Sequence, residues 1–314
     1  MFGIFDFIAK ILGQLLYLIY NTVAFHNYGV ALILFTVITK LALFPLTIKQ
    51  LKSTQKMQEI QPELQKIQQR YKNDKEKLNQ EMMKLYQEKG VNPMGGCLPM
   101  LFQLPILFAL FYVIRKPLTY MLGWTKEVIG NVIIKIMQIK PEFFPAKEFP
   151  FIDGFEAVKT NAVEVANLFE KNPYHEVNVI GAINEIPSLI EEGMEMINLT
   201  FLKIFNLGVK PTYDFNLIAE KPGLYIPALI MVIIAVATTF ISSKISMAKT
   251  MSQNDSNSQA NQTGKTMMYF GPLMTLLISF QAPLGLSFYW TISNVFQIIQ
   301  QIFTDKYMHK KKEG

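Results

Sequence analysis

The chain has few of the residues on which catalytic and disulfide-bonded proteins depend. Of its 314 residues one is cysteine and three are histidine. The single cysteine, Cys97, excludes a disulfide within the chain. His26, His175 and His309 lie in separate segments without the spacing of a metal site. Because a glycine-rich phosphate loop and a nucleophile elbow are also missing, we expect neither an enzyme nor a bound cofactor or metal.

Charged residues are scarce as well, as in proteins that lie within a lipid bilayer. They form 17% of the chain, and hydrophobic residues form 50%, whereas ordinary soluble domains carry about 25% charged residues. A membrane-spanning helix needs about 20 mostly apolar residues. We therefore predict an all-α integral membrane protein with five transmembrane helices, whose apolar segments are 28–48, 98–118, 223–243, 267–282 and 284–303.

The loop between the first two predicted spans orients the chain. It carries ten lysine and arginine residues between Lys49 and Lys89, and short loops rich in these residues stay in the cytoplasm. Alternation then places the long 119–222 loop on the outer side, together with its nine lysines and fourteen acidic residues. The same alternation predicts a cytoplasmic C-terminal tail.

The N-terminal 25 residues predict a helix that lies in the membrane interface on the outer side. Their polar side chains recur every three or four residues and form one stripe along the helix. An interfacial amphipathic helix fits this pattern, and a sixth span is the alternative. The stripe consists of Asp6, Lys10, Gln14, Tyr17 and Asn21.

The cytoplasmic loop predicts two antiparallel helices. Met57, Ile60, Leu64 and Ile67 mark an apolar stripe on the first helix. Asn73 or Asp74 can cap the second helix, which carries Leu78, Met82 and Leu85 on one face and ends at Gly90. The predicted organisation is therefore an interfacial helix (1–25), a first span (26–50), a cytoplasmic helical hairpin (51–91), a second span (92–118), an extracytoplasmic loop (119–222), a third span (223–243), a cytoplasmic loop (244–266), the fourth and fifth spans (267–303) and a basic tail (304–314).

Several short motifs, dispersed but in a fixed order, carry a family resemblance. The chain resembles the YidC/Oxa family of membrane protein insertases, and in particular the Gram-positive form without a large N-terminal soluble domain. The motifs are Lys40 followed by Phe44-Pro45-Leu46-Thr47, then Gln61-Pro62-Glu63, Asn92-Pro93, Gly96-Cys97-Leu98-Pro99, Gln103-Leu104-Pro105, and Leu286-Ser287-Phe288-Tyr289-Trp290 with Asn294.

The resemblance implies a hydrophilic groove in the inner leaflet, open to lipid and cytoplasm, with one cation that is usually arginine. Lys40 stands at that position here. An ionised side chain near the bilayer centre costs about 2.5–3.5 kcal/mol on insertion scales, so Lys40 needs water or a partner. Polar residues of the spans complete the candidate groove, although each is also of a type that joins helices in membranes. They are Thr36, Gln103, Thr239, Ser242, Ser287, Tyr289, Ser293, Asn294 and Gln297.

Together these features predict a membrane protein insertase and chaperone of the bacterial plasma membrane. The expected partners are nascent membrane proteins, the ribosome, the Sec translocon and anionic lipid headgroups, but not DNA. An ion-coupled transporter that uses Lys40 as a proton or substrate site is the alternative, although no internal repeat supports it. A membrane-anchored docking protein would leave Lys40 unexplained. The predicted contacts for ribosomal RNA or lipid are Lys306, Lys310, Lys311 and Lys312.

Overall fold

The computed structural model describes residues 2–92, 98–248 and 259–310. Over these residues the chain is mostly helical, with one small antiparallel β-hairpin. It divides into two compact units. The first unit comprises Met1–Thr36, Pro105–Val232 and Ile278–Tyr289, and the second comprises Val37–Leu104, Ile233–Leu277 and Trp290–Gly314.

The elements follow one another in chain order with short connections. The helices that precede the long loop are α1 (Phe2–Thr22), α2 (Tyr28–Ala42), α3 (Phe44–Glu59), α4 (Gln61–Arg70), α5 (Lys75–Glu88), α6 (Leu98–Arg115) and α7 (Pro117–Tyr120). The long loop and the remaining spans form α8 (Lys126–Ile139), α9 (Phe155–Val158), α10 (Ala162–Phe169), α11 (His175–Glu185), β1 (Thr200–Phe201), β2 (Phe205–Asn206), α12 (Phe215–Glu220), α13 (Pro222–Ala248), α14 (Gln259–Ser279) and α15 (Leu284–Lys310). Single 3-10 turns lie at Pro141–Phe143, Ile152–Gly154 and Pro187–Leu189.

Helices stand at all five segments that the sequence predicts as spans, but their lengths differ. Among the described residues, two helical segments are long and apolar enough to cross a membrane, Gly3–Thr22 and Pro222–Ser246. A bent pair formed by α2 and α3 is a third candidate, and Leu104–Arg115 and Met268–Ser279 are shorter apolar helices. The protein is therefore an integral membrane protein.

The first predicted span is not a continuous helix to residue 50. It ends at Ala42, and the following helix leaves at an angle of 55°. The physical reason is Pro45, which lacks the N–H that would bond the carbonyl of Leu41 and whose ring would clash with that carbonyl. Hydrogen bonds from Leu43 N–H to the Thr39 carbonyl and from Thr47 N–H to the Leu43 carbonyl hold the two sides of the bend.

The boundaries at the other segments that the sequence predicts to be cytoplasmic also differ. The third span continues to Ala248, α14 begins at Gln259, eight residues before the predicted start, and α15 continues to Lys310 through the segment predicted as a tail. These extensions contain no proline and one glycine, Gly264 of α14, so helix formation continues beyond the apolar stretch. Residues 249–258 lie outside the described part of the chain.

The second unit contains a hairpin of two short helices, α4 and α5. The side chain of Asp74 caps α5 by accepting a hydrogen bond from the Lys77 N–H, at 3.0 Å. Gly90 follows α5 in a left-handed conformation, as a helix C-terminus favours. An ion pair of 2.7 Å joins Lys89 to Glu63 at the open end of the hairpin. Its apolar core consists of Ile60, Leu64, Leu85 and Val91, with Met57, Ile67, Met82 and Tyr86 packed against it.

In the first unit, the polar stripe of α1 makes contacts within the protein. The hydroxyl of Tyr120 donates to Asp6 at 2.9 Å, and the amide of Gln14 donates to the carbonyls of Tyr120 and Met121. Tyr17 is hydrogen-bonded to Glu195. The neighbouring face of α1 leaves large apolar side chains exposed, namely Ile4, Phe7, Ile11 and Leu18. The helix therefore joins its polar face to the chain that follows α6 and presents an apolar face to its surroundings.

The long loop is a folded helical region. Its helices α8, α10 and α11 pack together and bury Val132, Ile133, Val165 and Val179. A phenylalanine cluster fills one side of this core, with ring centroids 4.7 Å apart for Phe144 and Phe169. Its other members are Phe149, Phe151 and Phe155.

Candidate functional site

A layer of polar side chains lies where α13, α14 and α15 meet in the second unit. The side-chain amide of Asn294 donates to the hydroxyl of Thr239 at 2.8 Å. The hydroxyls of Thr239 and Thr275 are 3.3 Å apart. The hydrogen bond of Asn294 therefore joins α15 to α13, and the contact between the two hydroxyls places α14 beside them.

The threonine hydroxyls of this layer are also bonded within their own helices. Thr239 donates to the carbonyl of Ala235 at 2.7 Å, and Thr275 donates to the carbonyl of Gly271 at 3.0 Å. Thr239 Oγ1 then accepts the hydrogen bond of the Asn294 amide with a free lone pair. Thr239 and Asn294 therefore contact each other between helices, as is common for such residues in membranes, and their place in the groove stays a prediction.

Two members of the layer, Thr275 and Gly271, were missed at the level of sequence. Gly271 faces α13 closely, since a Cβ atom built on it would lie 3.6 Å from Ser243 Oγ and 3.7 Å from a methyl carbon of Thr239. Thr275 follows Gly271 by one helical turn. The small-residue spacing of a membrane helix contact was the signal that could have found them.

Lys40 lies in the last turn of α2, two residues before that helix ends at its bend. Its side chain is partly buried. Among the carboxylates whose side chains the structure describes, none forms an ion pair with it. Lys40 is therefore a cation beside a break in a membrane helix, without a carboxylate partner in the described part of the chain.

The other predicted groove residues are distributed over both units. Thr36, four residues before Lys40, is buried and donates to the carbonyl of Leu32 at 2.6 Å. Ser287 donates to Ser279 at 2.9 Å and closes the turn between α14 and α15. The structure therefore brings together Thr239 and Asn294, whereas Ser287 has a separate partner. Of the rest, Tyr289, Ser242 and Ser293 are buried, Gln297 is exposed, and the side chain of Gln103 lies outside the described residues.

The basic contacts predicted at the C-terminus fall at the edge of the described chain. Lys306 and Lys310 lie in the helical backbone of α15, but their side chains are outside the described part. Lys311 and Lys312 lie beyond it altogether.

A second group of polar residues, which the sequence did not single out, joins α7 to the folded loop. The carboxylate of Glu176 is buried and accepts hydrogen bonds from the N–H and the hydroxyl of Thr119. Burial raises the pKa of Glu176 to about 7, and burial lowers the pKa of the adjacent His175 to about 4. Nearby, Glu170 pairs with Lys116 and Lys126.

The electrostatics of Glu170 are opposite to those of Glu176. Its partial burial raises the pKa, but the hydrogen bonds and charges of Lys116 and Lys126 outweigh burial and lower the pKa to about 2. Glu170 is therefore an ionised member of an ion-pair network, while Glu176 is a buried carboxyl held by a neutral partner. We see in this group a structural joint between α6 and the loop.

The match to known proteins covers almost the whole chain. The model of the 60Kd inner membrane protein family matches residues 18–312. The chain belongs to this family, the YidC/Oxa family. The resemblance predicted from the dispersed motifs is thereby confirmed.

Relatives within the YidC/Oxa family differ in length from this chain. Membrane protein insertase YidC of Treponema denticola is 29% identical over 290 residues, which are 90% of this chain and 35% of that protein. Membrane protein insertase YidC of Clostridium perfringens is 62% identical over 87 residues, which are 28% of this chain and 37% of that protein. Membrane protein insertase YidC 2 of Bacillus anthracis is 28% identical over 278 residues, which are 87% of this chain and 70% of that protein. The chain thus spans only about a third of the length of the first two of these relatives.

Proposed function

We propose that the protein is a membrane protein insertase and chaperone, which receives nascent membrane proteins and releases their apolar segments into the bilayer. Membership of the YidC/Oxa family supports this function, as does the similarity to relatives named membrane protein insertases. Its substrates are unfolded membrane segments with polar flanks.

The position of Lys40 carries the proposal. A lysine in a membrane helix without an ion-pair partner among the described carboxylates is unfavourable unless water or an anionic group reaches it. The bend after Ala42 adds to the local polarity, because Pro45 leaves the Leu41 carbonyl without its helical donor. Both features favour a hydrated pocket next to Lys40, as the groove requires.

The proposed mechanism lowers the cost of moving polar groups through the membrane. The polar flank of the substrate enters the hydrated groove and so avoids bare hydrocarbon, where an unpaired polar group costs several kcal/mol. Lys40 attracts acidic residues in that flank. The apolar segment then moves sideways into lipid, where its hydrophobic surface is stable. No covalent bond forms or breaks in this cycle.

The remaining partners bind on the cytoplasmic side in this proposal. The hairpin of α4 and α5 has a basic, methionine-bearing surface that suits contact with emerging chains or with anionic headgroups. The C-terminal lysines provide a contact for ribosomal RNA or lipid. The Sec translocon is a further partner for substrates that need both the translocon and the insertase. The groove belongs to the inner leaflet, and the folded 119–222 region lies outside.

The test compares variants of Lys40 in reconstituted vesicles. We expect Lys40→Arg to retain insertion, and Lys40→Ala to reduce it severalfold for substrates whose translocated flank is acidic, because the attraction is lost. Lys49→Ala is the matched control, since Lys49 is an exposed lysine of α3 beyond the bend. Substrates with neutral flanks should depend little on Lys40.

Two results would contradict the proposal. Full insertion by the Lys40→Ala protein for every substrate would remove Lys40 from the mechanism. Equal loss in the Lys40→Ala and Lys49→Ala proteins would indicate a general effect of positive charge rather than a site. The amount of protein in the membrane fraction is measured in parallel, so that poor folding is recognised.

A further inference from the structure

We propose that the β-hairpin of the first unit is a membrane-inserting element, whose tip enters the headgroup region of the leaflet at the outer ends of α2 and α15. The partner is therefore a phospholipid surface. This proposal rests on the proposed topology, in which α2 and α15 are spans.

The base of the hairpin is fixed to the ends of the membrane helices. The ring of Phe201 packs against Gly29, the second residue of α2, and its centroid lies 5.0 Å from that of Phe288 in α15. The N–H of Gly285 donates to the carbonyl of Leu207 at 2.7 Å. In the proposed topology both helices cross the bilayer, so the hairpin lies at the level where they leave it.

The tip of the hairpin is apolar and sharply turned. Leu202 and Ile204 are 63% and 57% exposed, although both are large hydrophobic residues. Leu202 and Lys203 both have left-handed backbone angles, with φ of 52° and 57°. Tight hairpin turns place Asn-Gly at such positions, since bulky residues are strained there. A strained turn that holds two apolar side chains outward is typical of a functional site rather than of a solvated loop.

Lys203 fits the same location. It lies between the two apolar residues of the tip, and a lysine side chain at a membrane surface extends its ammonium group to the phosphates while its methylene groups remain in the apolar zone. A short turn of the form apolar-lysine-apolar therefore suits the boundary between hydrocarbon and headgroups.

Other exposed apolar residues extend around the same ends of the helices. Phe25, in the turn before α2, is 87% exposed and also left-handed, with φ of 51°. Phe215 is 85% exposed at the start of α12, seven residues before α13 begins. Tyr213 is exposed and packs beside Phe280 in the turn that follows α14. These residues accompany the ends of several helices and continue toward the exposed Ile226 and Ile230 of α13. Exposed apolar residues mark contacts with membranes or proteins, and a bilayer reaches the ends of several helices at once.

The experiment measures depth in the membrane with single spin labels. The full chain carries Cys97→Ser, and one cysteine is introduced at Leu202, Lys203 or Ile204 before reconstitution into phospholipid nanodiscs. The control is Val163→Cys, an exposed apolar residue at the start of α10 in the same unit. Collision with oxygen, which concentrates in lipid, is compared with collision with a water-soluble nickel complex.

The expected result is a clear difference between the tip and the control. Labels at 202 and 204 should show a ratio of oxygen to nickel collisions at least about threefold above that at 163, as for residues buried in the acyl boundary. The label at 203 replaces a charged residue and should lie at headgroup depth. If the label itself caused insertion, position 203 would be as deep as positions 202 and 204. Ratios at 202 and 204 equal to that at 163 would overturn the proposal and favour a protein partner for the tip.

Failure of this proposal and failure of the proposed function are separable. Nanodiscs expose both leaflets, so depth is measured without assuming an orientation or an insertion activity. An inserted tip in a protein that does not insert substrates would refute only the function. A water-exposed tip in an active insertase would refute only the membrane contact.

Discussion

The carboxylate of Glu176 accepts both the N–H and the hydroxyl of Thr119, which precedes it by 57 residues, at 3.0 and 2.5 Å. Thr119 belongs to α7, the single turn directly after α6. Glu176 begins the first turn of α11 with His175, and both side chains are almost fully buried. This contact joins the folded loop to the end of α6. Glu176 and His175 make its stability depend on pH in opposite directions.

The first prediction concerns Glu176→Gln. Because burial raises the pKa of Glu176 from 4.5 to about 7, its contribution to stability is complete below pH 4.5 and is lost as the pH rises through 7. A shift of one pKa unit corresponds to about 1.4 kcal/mol, so the loss is about 3 kcal/mol. The free energy of unfolding of the glutamine variant minus that of the parent should therefore increase by about this amount from pH 4 to pH 8. Thermal unfolding followed by Trp124 fluorescence, in a Trp290→Phe background, measures the difference.

The second prediction concerns His175, whose effect has the opposite sign. Burial lowers its pKa from 6.5 to about 4, so its contribution is complete above pH 6.5 and is lost as the pH falls through 4. In the parent the two trends largely cancel between pH 4.5 and 6.5. His175→Gln should therefore lose stability with rising pH in this range, and Glu176→Gln should gain it. Parallel pH profiles in the two variants would refute this compensation.

A third prediction separates packing from substrate contact at Asn294. Removal of its hydrogen bond to Thr239 in Asn294→Ala should lower the free energy of unfolding by about 0.5–1.5 kcal/mol, the range for interhelical hydrogen bonds in membranes. Gln297→Ala, an exposed amide on the same helix, should have little effect. Stability is measured by unfolding in mixed micelles, and insertion is measured beside it. Loss of insertion by the Asn294→Ala protein at unchanged stability would identify Asn294 as a substrate contact instead.

The fourth prediction concerns the hairpin of α4 and α5. Leu64 lies in its apolar core, and large-to-small substitutions in a core cost about 2–5 kcal/mol. Leu64→Ala should therefore increase amide hydrogen exchange throughout α4 and α5, whereas Met83→Ala, at an exposed position of α5, should not.

We also expect deletion of 52–89 with a short Gly/Ser bridge to reduce insertion but leave the other helices assembled. Normal insertion by the deleted protein would make the hairpin a dispensable linker.

The fifth prediction tests orientation in cells. Single cysteines near Asn73 and Ser256 should be protected from an impermeant thiol reagent in intact cells, while a cysteine near Lys171 should react. Permeabilised cells provide the control, because all three sites should then react. Reaction near Asn73 in intact cells would reverse the proposed orientation and with it the proposed groove.

Local signals in the sequence were sufficient for the ends of α5. The cap at Asp74 and the stop at Gly90 depend on residues within one turn of the chain, so both could be predicted. The bend after Ala42 also had a local signal in Pro45, but the apolar composition of 28–48 favoured one continuous helix. Composition and backbone geometry are separate constraints, and the proline decides where the helix ends.

Long-range contacts could not be predicted in this way. Thr119 and Glu176 each look like ordinary loop residues, and only the fold of the 119–222 region brings them together. The same is true of Asn294 and Thr239, which were named as groove residues for their polarity but whose hydrogen bond became visible only with the helix packing. Polarity identified these residues, and only geometry could show their partners.

The bend between α2 and α3 has a consequence that no side chain determines. Pro45 cannot donate to the carbonyl of Leu41, so one backbone acceptor in the membrane helix lacks its helical partner, one residue from Lys40. At adjacent positions the carbonyl oxygen can accept a hydrogen bond from a water molecule, and the ammonium group can donate one to it. The substitution Lys40→Ala removes the ammonium group but leaves the Leu41 carbonyl without its helical donor, so part of the local hydration should remain. Only a residue with an N–H at position 45 can restore the missing hydrogen bond.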